Sequence, residues 1–130
     1  MRTLIAEDDF ASRKFMLRFL SKYGECDVTV DGAEVIEAYT MALEENQGYE
    51  LVCLDIMMPV MDGYQALKAI REIEDKHGIP EEKRAKIIMT TALNGGRNVT
   101  KAFELGCNAY AGKPIDQDKF SNVLKKLELI

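Results

Sequence analysis

With 130 residues, 47% apolar and 30% charged, the chain can build one packed core but not two ordinary domains, and its balance argues against disorder. A net charge of −5 supplies no field to gather phosphate backbones, so nucleic-acid binding is not expected. No apolar run is long enough to span a membrane. Glu7-Asp8-Asp9 also cuts the N-terminal apolar stretch short of a signal peptide, so a cytoplasmic location is expected.

Thr3-Leu4-Ile5-Ala6 reads as a short strand ending in Glu7-Asp8-Asp9. Met16, Phe19, Leu20 and Tyr23 recur on one helical face, stopped by Gly24. Cys26, Val28 and Val30 alternate as a second strand before the turn at Asp31-Gly32. Val35, Ala38, Tyr39 and Ala42 form the next helical stripe, ending near Gln47-Gly48. Leu51-Val52-Cys53-Leu54 then runs straight into Asp55, before Pro59 and Asp62-Gly63 break the pattern. A short apolar run bounded by breakers is how a strand buried on both faces reads.

Ala66, Ala69, Ile70 and Ile73 mark a third helix, capped by Asp62. Residues 74–86 are rich in charge and read as an exposed helix end and loop. Ile87-Ile88-Met89 is a further buried strand, closing in Thr90-Thr91-Ala92. Asn94-Gly95-Gly96 is flexible by composition, and Val99, Ala102 and Phe103 form a short helix closed by Gly106. Ala109-Tyr110-Ala111-Gly112 leads into Lys113-Pro114. Phe120, Val123, Leu124 and Leu127 give the last helix, with Asp116 as its cap.

Five alternations of strand and helix predict a doubly wound, five-stranded parallel sheet with helices on both faces, a single α/β domain over residues 1–130. In that order the carboxyl ends of strands one, three, four and five converge on one crevice. They carry Asp8 and Asp9, Asp55, Thr91 and Lys113. Crowded carboxylates repel unless a cation offsets them, and an oxygen-only ligand set suits Mg²⁺ or Mn²⁺ better than zinc. A hydroxyl and an ammonium opposite the metal match the oxygens of a phosphoryl group, which Asp55 would accept as an acyl phosphate. Taken singly, the same residues have plainer roles: paired acids after a strand often cap a helix, and Thr is simply a good strand former. Cys26, Cys53 and Cys107 lack metal-ligand spacing and fit buried thiols. His77, the single histidine, lies in a polar stretch.

Glu7-Asp8-Asp9, Asp55-Ile56-Met57-Met58-Pro59 with Met61-Asp62-Gly63, Thr91-Ala92 and Lys113-Pro114 occur in this order across the whole chain. Together they resemble the receiver domain of response regulators in bacterial two-component signalling, at the size of the stand-alone chemotaxis regulator. The resemblance implies a flavodoxin-like (βα)5 fold, with Mg²⁺ held by Asp9, Asp55 and the backbone carbonyl of Met57, and Asp8 helping through water. It implies that Thr91, the backbone N–H of Ala92 and Lys113 contact the phosphoryl oxygens, and that Lys113-Pro114 is a cis peptide. Thr91 and Tyr110 fall where the family carries its switch pair.

The implied phosphodonor is a sensor histidine kinase or a histidine phosphotransfer protein, with catalysis confined to the receiver's own phosphorylation and slow dephosphorylation. The chain has no room for an effector domain, so output is expected through a downstream protein at the fourth helix, fifth strand and fifth helix. A monomer is expected, with a phosphorylation-linked dimer as an alternative. Two features depart from the family pattern. The Asp55-to-Thr91 spacing is longer than in compact members, with the surplus in 74–86, and Met57 and Leu93 are apolar where some relatives carry polar residues. A flavodoxin-like cofactor binder would need a glycine-rich phosphate loop where Glu7-Asp8-Asp9-Phe10 stands. An aspartyl-phosphate hydrolase would carry a second acid at Met57, and no P-loop motif is present. A degenerate receiver, acting only as a binding module, would lack some of these site residues.

Overall fold

Each apolar run becomes a strand and each stripe a helix, in the order β1 (Thr3–Ala6), α1 (Phe10–Leu20), β2 (Cys26–Thr29), α2 (Gly32–Glu44), β3 (Leu51–Asp55), α3 (Gly63–Lys76), β4 (Lys86–Thr91), α4 (Gly96–Glu104), β5 (Ala109–Gly112) and α5 (Gln117–Lys126). Short 3-10 turns follow α1 and precede β4. This computed structural model describes residues 1–92 and 96–130, with 96 and 97 described by backbone alone. Leu93, Asn94 and Gly95 therefore lie outside the described residues.

The five strands form one parallel sheet in the order β2-β1-β3-β4-β5. Because successive strand side chains point to opposite faces, two cores result. Leu4, Ala6, Val52, Leu54, Ile87 and Met89 pack with Val35 and Tyr39 of α2, Leu67 and Ile70 of α3 and Ala102 of α4. Ile5, Leu51, Cys53 and Ile88 pack with Met16, Phe19 and Leu20 of α1 and Phe120 and Leu124 of α5. Phe19 meets Phe120 edge-on at 5.9 Å between centroids, closing the second layer. Among the described residues, no helix is long and apolar enough to cross a membrane.

Caps set where the helices start. Asp9, Asp31 and Asp62 each accept the backbone N–H three residues on, and Asp62 forms a reciprocal capping box with Gln65. Two stripes differ from expectation. Val28 and Val30 are each 38% exposed because β2 is an edge strand and α1 only partly covers it, and Phe103 points outward from α4.

The charged segment 74–86 corrects its reading as wholly exposed, because Glu74 is completely buried. Its Oε1 accepts from Arg71 Nη1 at 2.7 Å, and its Oε2 from the Tyr39 hydroxyl at 2.6 Å and the Ala85 N–H at 3.0 Å. Arg71 also donates to the carbonyls of Ala85 and Gly106 and to Asn108 Oδ1. A buried charge needs such a shell of partners. The cluster ties α2, α3 and the starts of β4 and β5 together at the amino edge of the sheet. Removing one member strands the other in a dry site. Arg71→Met is expected to lower the unfolding free energy by about 3 kcal/mol. Tyr39→Phe should cost about 1–3 kcal/mol, both read by urea denaturation. Wild-type stability in Arg71→Met would remove this cluster as a structural clamp.

Candidate functional site

The carboxyl edge is assembled by strand register. Ala6 stands beside Leu54, Asp55 beside Thr90, and Thr91 beside Gly112. One residue further along each strand brings Glu7 level with Asp55, while the Lys113 N–H continues the ladder to the Thr91 carbonyl at 2.8 Å. Asp55 is 3% exposed and Glu7 fully buried. Lys113 Nζ sits between them, ion-paired with Glu7 Oε1 and 3.2 Å from Asp55 Oδ2. Asp55 Oδ1 accepts the Met57 N–H at 3.3 Å.

The loop after Asp55 is held tightly against the strand. Ile56 N donates to Thr90 O and Gly63 N to Ile56 O, while Val60 takes a left-handed φ of 69° to turn the chain back. Glycine is required at 63: a Cβ there would stand 2.4 Å from Asp55 O. Thr91 is buried at the end of β4, and Ala92 is exposed just beyond it. Tyr110 is half-buried in β5 against the core that α2, α3 and α4 cover. The Lys113–Pro114 peptide bond is cis.

The acidic cluster differs from the expected set by one residue. Glu7, Asp8 and Asp55 each offer a carboxylate oxygen within 4.8 Å of the others. Asp9 is not part of that group. It caps α1, its carboxylate accepting Ser12 N–H at 2.9 Å, and the Ser12 amide and hydroxyl hold its carboxyl below the usual range. Glu7 takes the inner place, with Oε2 accepting the Asp9 N–H at 3.1 Å. Arg13 Nη1 braces the turn from outside, donating to the carbonyls of Glu7 and Asp8 at 3.0 and 3.4 Å. The signal for Glu7 was present in the sequence: it is the first acid after the first apolar run, as Asp55 is after the third.

Burial and a shared hydrogen bond with Asp55 push the Glu7 carboxyl up to about 7, against the pull of Lys113 and the Asp9 amide. For Lys113, burial alone would lower the ammonium, but Glu7 and Asp55 outweigh it and raise it. One ammonium thus faces three carboxylates, and the crowding is what makes the Glu7 carboxyl bind a proton more readily than usual. A hard divalent cation would relieve the same crowding, and the all-oxygen donor set fits one.

The chain matches the family model of the response regulator receiver domain over residues 3–125. It belongs to this family. The receiver is 34% identical to the chemotaxis protein CheY of Treponema pallidum over 120 residues, covering 91% of this chain and 76% of that protein. Among solved structures it resembles the complex of CheX, CheY, BeF3 and Mg²⁺ from Borrelia burgdorferi, at TM-score 0.84 and 25% identity over 100% of this chain and 90% of that one. It also resembles the Saccharomyces cerevisiae co-crystal structure of the histidine phosphotransfer protein Ypd1 with the receiver domain of Ssk1. There the TM-score is 0.82 and the identity 25%, covering 100% of this chain and 92% of that one. Against three hybrid signal transduction histidine kinases of Dictyostelium discoideum, 30–32% identical, the chain spans only 5–7% of the relatives' length.

Glu7 links this site to stability. Its carboxyl moves from an ordinary 4.5 to about 7 on folding, so between those values the native state holds more protons than the unfolded chain. The contribution is full below about 4.5 and is lost as pH rises toward about 7. In excess chelator, the wild type should lose up to about 3 kcal/mol more than Glu7→Gln across that interval, in urea unfolding at each pH. Parallel curves for the two proteins would refute the assignment.

Proposed function

We propose that this receiver accepts a phosphoryl group on Asp55 from the phosphohistidine of a sensor histidine kinase or a histidine phosphotransfer protein. The observation that carries the reading is Asp55 itself. It is buried, central on the carboxyl edge, and lies 3.2 Å from Lys113 Nζ with Glu7 and Asp8 crowded beside it. The neighbours in the comparisons support it: one is a CheY bound with Mg²⁺ and BeF3, and another is a receiver captured with a phosphotransfer protein.

In this reading Glu7, Asp8, Asp55 and the Met57 carbonyl hold Mg²⁺, with Mn²⁺ as a substitute of the same ligand preference. When bound, the cation neutralises charge on the phosphoryl oxygens. An Asp55 carboxylate oxygen attacks phosphorus, an acyl phosphate bond forms, and the P–N bond to the donor imidazole breaks, its electron pair returning to the ring nitrogen. Lys113, at present paired with Glu7 and Asp55, turns to a phosphoryl oxygen. Thr91 and the Ala92 N–H take the others, so positioning and charge neutralisation do most of the catalysis. Output runs through Thr91 and Tyr110 to a protein that reads the α4, β5 and α5 surface, from a monomer or a phosphorylation-linked dimer.

Acetyl phosphate with Mg²⁺ should add one phosphoryl mass to the wild type and none to Asp55→Asn or to protein in excess chelator. Asp8→Ala should lose most Mg²⁺ affinity, whereas Asp9→Ala should keep it. Undiminished labelling of Asp55→Asn would sink the assignment. The lifetime of the product depends on how water reaches phosphorus. The Met57 side chain, 62% exposed beside the acceptor, offers water no hydrogen bond. Self-dephosphorylation should therefore be slow, and Met57→Asn should speed phosphate release several-fold; equal release rates would end the shielding argument.

A further inference from the structure

α3 starts on the acceptor's own backbone. Its first residue, Gly63, donates to Ile56 O at 2.9 Å, and a Cβ there would stand 2.7 Å from Ile56 Cα. That contact leaves no slack, so a shift of the Asp55–Ile56 backbone is also a shift of the first turn of α3. The next residue, Tyr64, is 9% exposed and packs in the core shared with α4. Its hydroxyl lies 3.2 Å from Asn98 Oδ1 and 3.3 Å from the Asn98 backbone O, in the first turns of α4. One hydroxyl proton serves one acceptor well at a time, so the two oxygens are alternatives. Lys101, a turn further along α4, places its Nζ 4.3 Å from the Tyr64 ring centroid.

Two turns down α3, Arg71 holds the far end of α4. Its Nε and Nη2 donate to Gly106 O at 3.0 and 2.8 Å, and Nη2 also reaches Asn108 Oδ1 at 2.9 Å. Gly106 has a φ of 104°, a backbone conformation that side chains rarely adopt. Among the described residues, the chain just past α4 is thus gripped by several charge-assisted bonds, whereas Tyr64 offers the start of α4 a neutral hydroxyl with a choice of acceptors.

We propose that Tyr64 is a positioning residue that carries the state of the Asp55 loop through α3 to α4, in parallel with the Thr91 route. The proposal rests on the reading of Asp55 as phosphoryl acceptor. Modification of Asp55 displaces the loop and the first turn of α3. The Tyr64 proton then changes partner between the two Asn98 oxygens, and α4 pivots about Gly106. The surface a downstream protein meets on α4 is set by two inputs, one from the end of β4 and one from the start of α3.

Tyr64→Phe deletes the hydroxyl and keeps the ring with its Lys101 contact. Amide exchange with and without BeF3 and Mg²⁺ should change at residues 98–105 in the wild type, and most of that change should vanish in Tyr64→Phe. Labelling by acetyl phosphate and the exchange change at residues 56–63 should stay at wild-type values in the variant. Lys101→Met, which leaves the hydroxyl, should keep the response at 98–105. A full response there in Tyr64→Phe, or no response in the wild type, overturns the proposal. Failure of the wild type to take phosphoryl from acetyl phosphate would instead count against Asp55 as acceptor.

Discussion

Like charges forced together at one edge of the sheet are the constraint on which the rest depends. Glu7 and Asp55 sit in a dry environment with Asp8 beside them, and Lys113 is the ammonium between them. In water such a group would fly apart; here the register of β1, β3, β4 and β5 leaves it nowhere to go. The excess negative charge must be met by something that arrives from outside, a proton on Glu7 or a cation. Strand order makes the site possible, since the chain turns back at β1 and opens the crevice beside β3.

Two buried glutamates show how differently one residue type can be used. Glu74 has donors on both oxygens: a guanidinium on one, a hydroxyl and a backbone N–H on the other. That shell is complete, which suits a clamp. Among the described residues Glu7 has one ammonium and one N–H, and it shares its surroundings with Asp55, so burial raises its carboxyl toward neutrality. Its shell is incomplete in the direction where the other carboxylates point. Structural and functional burial of charge are therefore separated by what fills the second lone pairs, not by depth.

The five strands, the helix faces and the caps at Asp62 and Asp116 were legible because periodicity and capping are local, and local chemistry decided them. The places of Asp55, Thr91 and Lys113 on one sheet edge were legible because each ends or directly follows an apolar run that becomes a strand. The sequence pointed to Asp9 rather than Glu7 beside Asp8 and Asp55, because which acid of three faces inward depends on where β1 stops and α1 begins, a difference of one residue. β1 ends at Ala6 and α1 begins at Phe10, so Asp9 becomes the cap. The Glu74 cluster was illegible for another reason. Its partners lie 3, 11 and 35 residues away, and a charged stretch gives no local sign that one of its members turns inward.

The central strand also limits how a change at Asp55 can travel. Leu51 to Leu54 are buried to the last atom between two helical layers, and a core at crystal-like density does not slide by small amounts. Displacement at Asp55 must therefore leave through what is attached beyond the strand end. Ile56 is bonded to Thr90 of β4, and Gly63 is pressed on Asp55 O at the start of α3. Both attachments lead toward α4: β4 precedes it in the chain, and α3 reaches its first turn through Tyr64 and the residues just after it through Arg71. α1 and α5 cover the other face of the sheet, and their starts are fixed by their own Asp caps. In the proposed reading, a local event at Asp55 therefore has two connections that both run toward α4, one through Thr90 and one through Gly63.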